Sequence, residues 1–423
     1  MGAAGNRLEF PTFNGVDVLA IRSRATAALP FSNIHERLHE YLRDDPVHEG
    51  DVIAELGGGP SMAAVAANLN TAPVFSVFRY ADVVEVLRDT GTYSSTVYEP
   101  TLGAFMGRNF FMMDPPEHGL YRKVLRSAFT KRGIEGMKDR ILRPVIEREV
   151  EAIMEVGRSV DLLHDFAERF PVDVVHYICG LQPLHRGEFH VLAVSLLLGS
   201  SHPELARAAS ARLRELLHEA VDQHRHGSTG DDLVSLLISA EVDGRPLTDD
   251  EILPILSVLL PAGGDTTARL TATVLHCLLD DPALLCAVID DRVLLAGVID
   301  EALRWEPPTV FIHRVTTCDT QLANVAVPKG AGIVVCLSSA NRDPEIYDEP
   351  HRFDPSRRQE HAMAFGFGSH LCVGMHLGRG EAEQAVTALV GRAPRLRRDD
   401  TAEQPNMVGL TFRQPNAVPA LLH

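Results

Sequence analysis

The chain has 423 residues, 45% of them hydrophobic, with 57 acidic against 40 basic side chains and a formal charge of −17. That acidity argues against nucleic acid as the main partner, and no apolar run approaches the roughly 18 to 20 residues needed to span a bilayer. Length allows two or three domains, but the hydrophobic content runs evenly without a Ser/Gly- or Pro-rich linker, so one large domain over 1–423 is expected, with 1–45 as a lead-in segment.

Cys179, Cys277, Cys286, Cys318, Cys336 and Cys372 lie scattered without C-x-x-C pairs, and the N-terminal stretch carries Arg7, Glu9, Asp17, Arg22 and Arg24 where an export signal would be apolar. A reduced, cytoplasmic monomer is the expectation.

A helix is predicted around Ile34 to Leu42. Gly57-Gly58-Gly59-Pro60 is a turn and not a phosphate loop, because no Lys-Ser/Thr follows it. Val74 to Phe78 reads as a strand and Tyr80 to Arg88 as a short amphipathic helix. From Thr92 to Met113 periodicity is lost while apolar residues persist, among them Phe105, Met106, Phe110 and Phe111, and a loop of that length and content is usually functional. Asp114-Pro115-Pro116-Glu117-His118 starts a helix on which His118 and Arg122, four apart, share a face. Two cations on one stripe could grip a carboxylate or simply be solvated. Amphipathic patterns over Leu142 to Val156, Leu205 to His224 and Asp231 to Ala240 make the class mainly α, or α+β once the strands are counted.

Asp249-Asp250-Glu251 opens a helix that runs to about Leu279 and crosses the domain. Its middle, Ala262-Gly263-Gly264-Asp265-Thr266-Thr267, is a weak place for a helix: two glycines cost about 1 kcal/mol each, and Pro261 adds about 3 kcal/mol more. The reason expected for this weakness is a groove beside an acid and an alcohol. A hydroxyl both donates and accepts, and a carboxylate linked to water relays protons. Glu301 and Arg304 sit three apart on a later helix that stops at Pro307-Pro308, after which Val310, Phe311 and Arg314 run extended. Strands follow between Gln321 and Ser338, turning at Pro328-Lys329-Gly330.

Phe365-Gly366-Phe-Gly368-Ser-His370-Leu-Cys372-Val-Gly374 offers one cysteine in a cage of glycines, and a helical pattern begins at Met375. Glycines there let the backbone turn tightly and approach a large planar object. Free amides in such a turn, and the helix N-terminus behind it, would stabilise a thiolate for metal binding. A zinc module built on His370 and Cys372 is disfavoured, since tetrahedral zinc wants four ligands and no second cluster lies nearby.

The pattern F-x-x-G-x-H-x-C-x-G resembles the cysteine loop of the cytochrome P450 family, the haem-thiolate monooxygenases. The D-P-P-x-H-x-x-x-R stretch at Asp114, the A-G-G-D-T stretch at Ala262, the E-x-x-R pair at Glu301 and Pro350-His351-Arg352-Phe353 match in the family's order. The resemblance covers roughly 70 to 420 and implies a single domain with a long central helix over haem b and small β-sheets. It implies Cys372 as axial thiolate, with Phe365, Gly366, His370, Gly374, Ala262 and Gly263 around the cofactor. His118 and Arg122 would hold one propionate and Arg314 the other. Asp265 would supply protons and Thr266 would hold the oxygen species, while Glu301, Arg304 and Arg352 would form a structural triad. Phe105, Met106, Phe110, Phe111, Val310, Phe311, Val408 and Leu410 would line the pocket for a hydrophobic substrate. The implied reaction inserts one atom of O2 into that substrate. A peroxide-driven enzyme is disfavoured by Asp265-Thr266, and a non-catalytic haem sensor or carrier is the rival of another class. No fused reductase is expected, so a ferredoxin and its reductase would deliver electrons. Arg122, Lys123, Arg126, Arg357 and Arg358 would offer the ferredoxin a positive patch.

Overall fold

Apolar spacing becomes helix wherever the sequence repeats at three and four: Ile34, Leu38 and Leu42 form the buried face of α1 (Ile34–Asp44). The computed structural model describes residues 12–18, 21, 33–181, 186–199, 202–227 and 230–423, so residues 1–11, 19–20 and 22–32 of the expected lead-in lie outside it. The other framing helices are α2 (Glu117–Ala128), α3 (Arg143–Val156), α4 (Phe170–Cys179), α5 (Arg186–Leu197), α6 (Pro203–His226), α7 (Asp249–Asp280), α8 (Leu294–Trp305) and α9 (Met375–Arg392). The chain is mainly α with small sheets, in one domain.

The largest sheet has five strands, β1 (Val47–Glu49), β2 (Val74–Val77), β3 (Tyr93–Ser94), β4 (Phe311–Thr316) and β5 (Gly332–Cys336), in the order β1-β2-β5-β4-β3. Only β2 and β5 run parallel, with Gly332 opposite Val74; the other pairs are antiparallel. A terminal hairpin pairs β6 (Met407–Val408) with β7 (Gln414–Pro415).

The core is organised on α7, 32 residues and therefore about 48 Å long. Its start is fixed by Glu251, whose carboxylate accepts the Thr248 backbone N–H at 2.8 Å, and by three acids in the first turn. It stays helical through Pro254 and Pro261, with most of its residues buried against α4, α5, α6, α8 and α9. Among the described residues no single helix is long and apolar enough to cross a membrane.

Three local expectations change. The segment from Thr92 to Met113 folds into short turns of helix, at Ser95–Tyr98, Gly103–Met106 and Phe110–Met112. Asp114 does not cap α2: its carboxylate accepts the Ser95 N–H at 2.9 Å and the Ser94 hydroxyl, tying the helix approach to β3. The paired glycines of α7 serve packing. A Cβ on Gly263 would stand 2.6 Å from Val175 Cγ2, and one on Gly264 would stand 2.5 Å from Val172 Cγ2, so α4 lies directly against them.

Candidate functional site

The cysteine loop closes on its own backbone, with the Gly366 N–H on Met363 O at 2.8 Å and the Cys372 N–H on Phe365 O at 2.9 Å. Gly366 and Gly368 both adopt φ +72°, and a Cβ on Gly368 would stand 2.6 Å from the Leu87 carbonyl oxygen. Gly374 needs no such conformation, at φ −85°; it leads into α9, and the N–H groups of Gly374 and Met375 are directed at the Cys372 sulfur. Cys372 keeps accessible surface, yet enough protein surrounds it that burial is the largest influence on its thiol and pushes it up. The Gly374 N–H, Arg122, Arg379 and the Met375 N–H pull it back down. Sequence reasoning missed Arg379, whose guanidinium lies 4.6 Å over the Phe365 ring and whose Nε donates to Asp300 at 2.7 Å. Its place in the second turn of α9 was the available signal.

Beside this loop, α2 brings His118 into a stack with His370, ring centroids 4.0 Å apart. His370 Nε2 stands 3.2 Å from Ser95 Oγ. Burial first, then Arg122, lowers His118 to about 4, and burial with Arg314, His118 and Arg122 lowers His370 to about 2. The expected two cations on α2 are therefore one cation and one neutral imidazole. Arg122 is half-buried and donates to the Leu371 carbonyl, while Arg314, buried on β4, donates through Nη1 to His313 O at 2.7 Å. His118 Nε2 and Arg314 Nε are buried without a partner among the described residues. Two such donors near one another call for an acceptor that protein does not supply.

On α7, Ala262 is exposed and Gly263 and Thr266 are half-buried, so one stripe of a buried helix keeps access to open space. Thr266 Oγ1 donates to Ala262 O at 2.7 Å. Asp265 is turned elsewhere: Arg269 Nε and Nη2 grip its carboxylate at 2.6 and 3.1 Å, with both residues buried, and it lines a crevice with Glu168, Val172 and His190. The acid and the alcohol are neighbours in sequence, but the first is gripped by Arg269 and the second rests on Ala262 O. Arg269, four residues on, is visible in the sequence once that helical spacing is applied.

Glu301 and Arg304 form a bidentate pair at 2.7 and 2.8 Å with neither exposed, and Arg304 also donates to the carbonyls of Asn341, Pro350 and Arg352. The third arginine differs from expectation. The Arg352 side chain is 61% exposed and pairs with Glu349, contributing only its carbonyl to Arg304, whereas Arg357 brings Nε to 3.7 Å from Glu301 and donates to Asp348 O at 2.8 Å. The turn after Phe353 carries the chain back over Glu301, so the later arginine reaches it. With Arg122 and Arg357 turned inward, the expected five-residue patch retains Lys123, Arg126 and Arg358 as exposed cations.

The eight pocket candidates separate. Phe111, Val310, Phe311 and Leu410 share one apolar cluster with Tyr98, while Met106 and Phe110 belong to the main helical core, with Phe105 packed against it. Val408 is buried on the hairpin outside both clusters.

The cytochrome P450 family profile matches residues 185–393. The erythromycin C-12 hydroxylase of Saccharopolyspora erythraea is 36% identical over 338 residues, covering 77% of this chain and 84% of that one. The chain belongs to the cytochrome P450 family. The cyclomarin C epoxidase CymV of Salinispora arenicola is 32% identical over 334 residues, covering 76% and 84%. Among solved structures, CYP109E1 from Bacillus megaterium in complex with testosterone superposes with a TM-score of 0.79 at 26% identity, covering 92% of this chain and 99% of that one. This P450 is thus an oxidoreductase, a monooxygenase of a family that binds haem through a cysteine thiolate and draws on redox partners. Its residues fit that group: a thiol faced by two amides, two orphaned donors for carboxylates, and an open stripe on α7. Among the described residues no cluster of three or more His, Cys, Asp or Glu is placed to hold a bare metal ion instead.

Proposed function

We propose that this P450 inserts one oxygen atom from O2 into a large, mainly apolar organic molecule, and that Cys372 would hold haem b as its thiolate. The observation that carries this is the Cys372 sulfur, met by the Gly374 and Met375 amides at the start of α9 with Arg122 and Arg379 alongside. Burial pushes the thiol up, and the Gly374 N–H, Arg122, Arg379 and the Met375 N–H would stabilise the thiolate that holds the group. The bound haem would supply electron transfer and oxygen activation. His118 Nε2 and Arg314 Nε would each donate to a propionate, and Arg122 would add its charge. Thr266, whose hydroxyl already rests on Ala262 O, can turn that donor toward the open stripe without leaving α7. Arg269 holds both carboxylate oxygens of Asp265, so the strength of that grip would bear on any proton Asp265 passes toward Thr266.

The substrate class is supported by the apolar cluster of Phe111, Val310, Phe311 and Leu410 and by relatives named for erythromycin and for cyclomarin C. A ferredoxin with its reductase is the electron source that Lys123, Arg126 and Arg358 suit. Two variants test the reading. Cys372→Ser should lose the red-shifted carbonyl spectrum of the reduced protein; its retention would transfer the ligand role to another cysteine. Thr266→Ala should consume reductant as before while releasing peroxide in place of product, and undiminished coupling to product would remove the hydroxyl from oxygen activation.

A further inference from the structure

The terminal hairpin is too short to hold itself. Its strands contribute two residues each, and an isolated hairpin is marginal at best in water. Its turn, Val408-Gly409-Leu410, with Gly409 at φ +92°, is nevertheless buried. Backbone pairing supplies part of the anchor: Val310 N–H donates to Thr411 O at 2.9 Å, Arg413 N–H to Pro308 O at 3.1 Å, and Thr309 bridges Phe412. The rest is a buried ionic relay. Arg413 has no exposed surface; its Nε donates to Glu306 at 2.5 Å and its Nη1 to the Gly409 carbonyl at 2.7 Å.

Glu306, 2% exposed at the end of α8, is also held by His35 of α1, whose Nε2 lies 3.1 and 3.0 Å from its two carboxylate oxygens. Burial lowers His35 to about 4, so the ring is neutral near pH 7; its Nε2–H donates to the carboxylate and its Nδ1 accepts the Ser338 hydroxyl at 3.3 Å. Burial pushes the Glu306 carboxyl up, but His35, Arg413 and Arg342 bring it well below the usual range, so the ion pair is intact. The adjacent Phe412 ring lies under the Arg269 guanidinium at 5.5 Å, which connects the hairpin to the arginine that grips Asp265.

We propose that Arg413, clamped by Glu306 and His35, is the residue that places the Val408–Leu410 turn against the substrate. It acts as a positioning residue through the Gly409 carbonyl. The inference rests on the reading that Val408 and Leu410 face the ligand. His35, Glu306 and Arg413, from three remote parts of the chain, form one buried run of contacts that ends on the Gly409 carbonyl at the start of the loop between β6 and β7, a costly arrangement for an element that only capped the fold. A fork of fixed N–H donors can hold Glu306 and Gly409 together, and a single ammonium cannot hold both in that geometry.

The test uses the full haem-loaded chain and two iron-ligating probes, imidazole and 4-phenylimidazole, titrated by the shift of the haem absorption band. Imidazole reads access to the iron; the ratio of the two affinities reads the shape of the space above it. Leu410→Ala should move the ratio, because it removes a lining side chain. Arg413→Lys and His35→Leu should lower the ratio by about tenfold, the scale of a methylene-sized misfit in an apolar pocket. Imidazole affinity and the carbonyl spectrum should stay as in the wild type. His35→Gln, which keeps an N–H for Glu306, should restore the wild-type ratio. A ratio moved by Leu410→Ala but unchanged in Arg413→Lys and His35→Leu, even with a lower melting temperature, overturns the inference. A ratio unmoved by Leu410→Ala overturns the pocket reading beneath it. If Arg413→Lys fails to load haem, the His35 pair decides alone.

Discussion

Gly264→Ala sets two effects of opposite sign against each other. Inside a helix, alanine is worth about 1 kcal/mol over glycine, so on propensity alone the variant is stabilised. Against this, the new Cβ would stand 2.5 Å from Val172 Cγ2, where ordinary carbon contacts begin near 3.5 Å. Val172 is buried on α4 and β-branched, so its preferred rotamer leaves little freedom to move aside. Overpacking of this kind costs about 1–3 kcal/mol, and the net expectation is a loss of about 1 kcal/mol. Urea unfolding of the haem-loaded protein, run as a double-mutant cycle with Val172→Ala, should give a coupling of about 1 kcal/mol or more, because the smaller side chain admits the new methyl. A Gly264→Ala variant more stable than wild type, with no coupling to Val172, would refute the packing argument and return the glycines to the groove expected from sequence.

Arg357→Gln should lower the urea midpoint by the equivalent of about 1–3 kcal/mol, since it removes a largely buried donor, whereas Arg352→Gln, on an exposed side chain, should change it by less than about 0.5 kcal/mol; the reverse order would reinstate Arg352. Burial and Arg314 hold His313 down to about 3, and burial holds His35 down to about 4. Above about pH 6.5 both are neutral folded or unfolded; below it the unfolded chain takes up protons that the folded one refuses, so stability falls as pH drops from about 6.5 toward 4. Melting temperatures between pH 7.5 and 5 should show this decline, with a shallower one in His313→Phe, and a flat profile in the wild type would count against it. With Lys123, Arg126 and Arg358 as the docking charges, reduction by an acidic ferredoxin should slow with rising salt and in Arg126→Glu; a salt-independent rate removes the argument.

Family and fold were legible because the motifs that carry them rest on local chemistry: a glycine cage around Cys372, an acid and alcohol at Asp265 and Thr266, an i, i+4 face at His118. What stayed hidden depends on where distant segments meet. Whether Arg352 or Arg357 reaches Glu301 is decided by the path after Phe353, which no spacing rule encodes. His35 lies 271 residues before Glu306, and Glu306 lies 107 before Arg413, and each alone reads as an ordinary surface charge. The glycines at 263 and 264 were seen as a weak place in a helix, but their cause is α4, roughly ninety residues earlier in the chain. Arg269 is the exception: four residues from Asp265, it was readable and overlooked.

The parallel pairing of β2 with β5 has a consequence for the protein's birth on the ribosome. Val74 finds its partner only when Gly332 has been made, and at roughly 5–20 residues per second that wait is on the order of ten seconds to a minute. Through that interval Val74–Val77 can pair only with β1, and its other edge stays open to any passing strand. Slow closure of such non-local pairs leaves a nascent chain exposed to aggregation. Yield in a foreign host should therefore respond to chaperone supply and growth temperature more than to the stability of the finished fold.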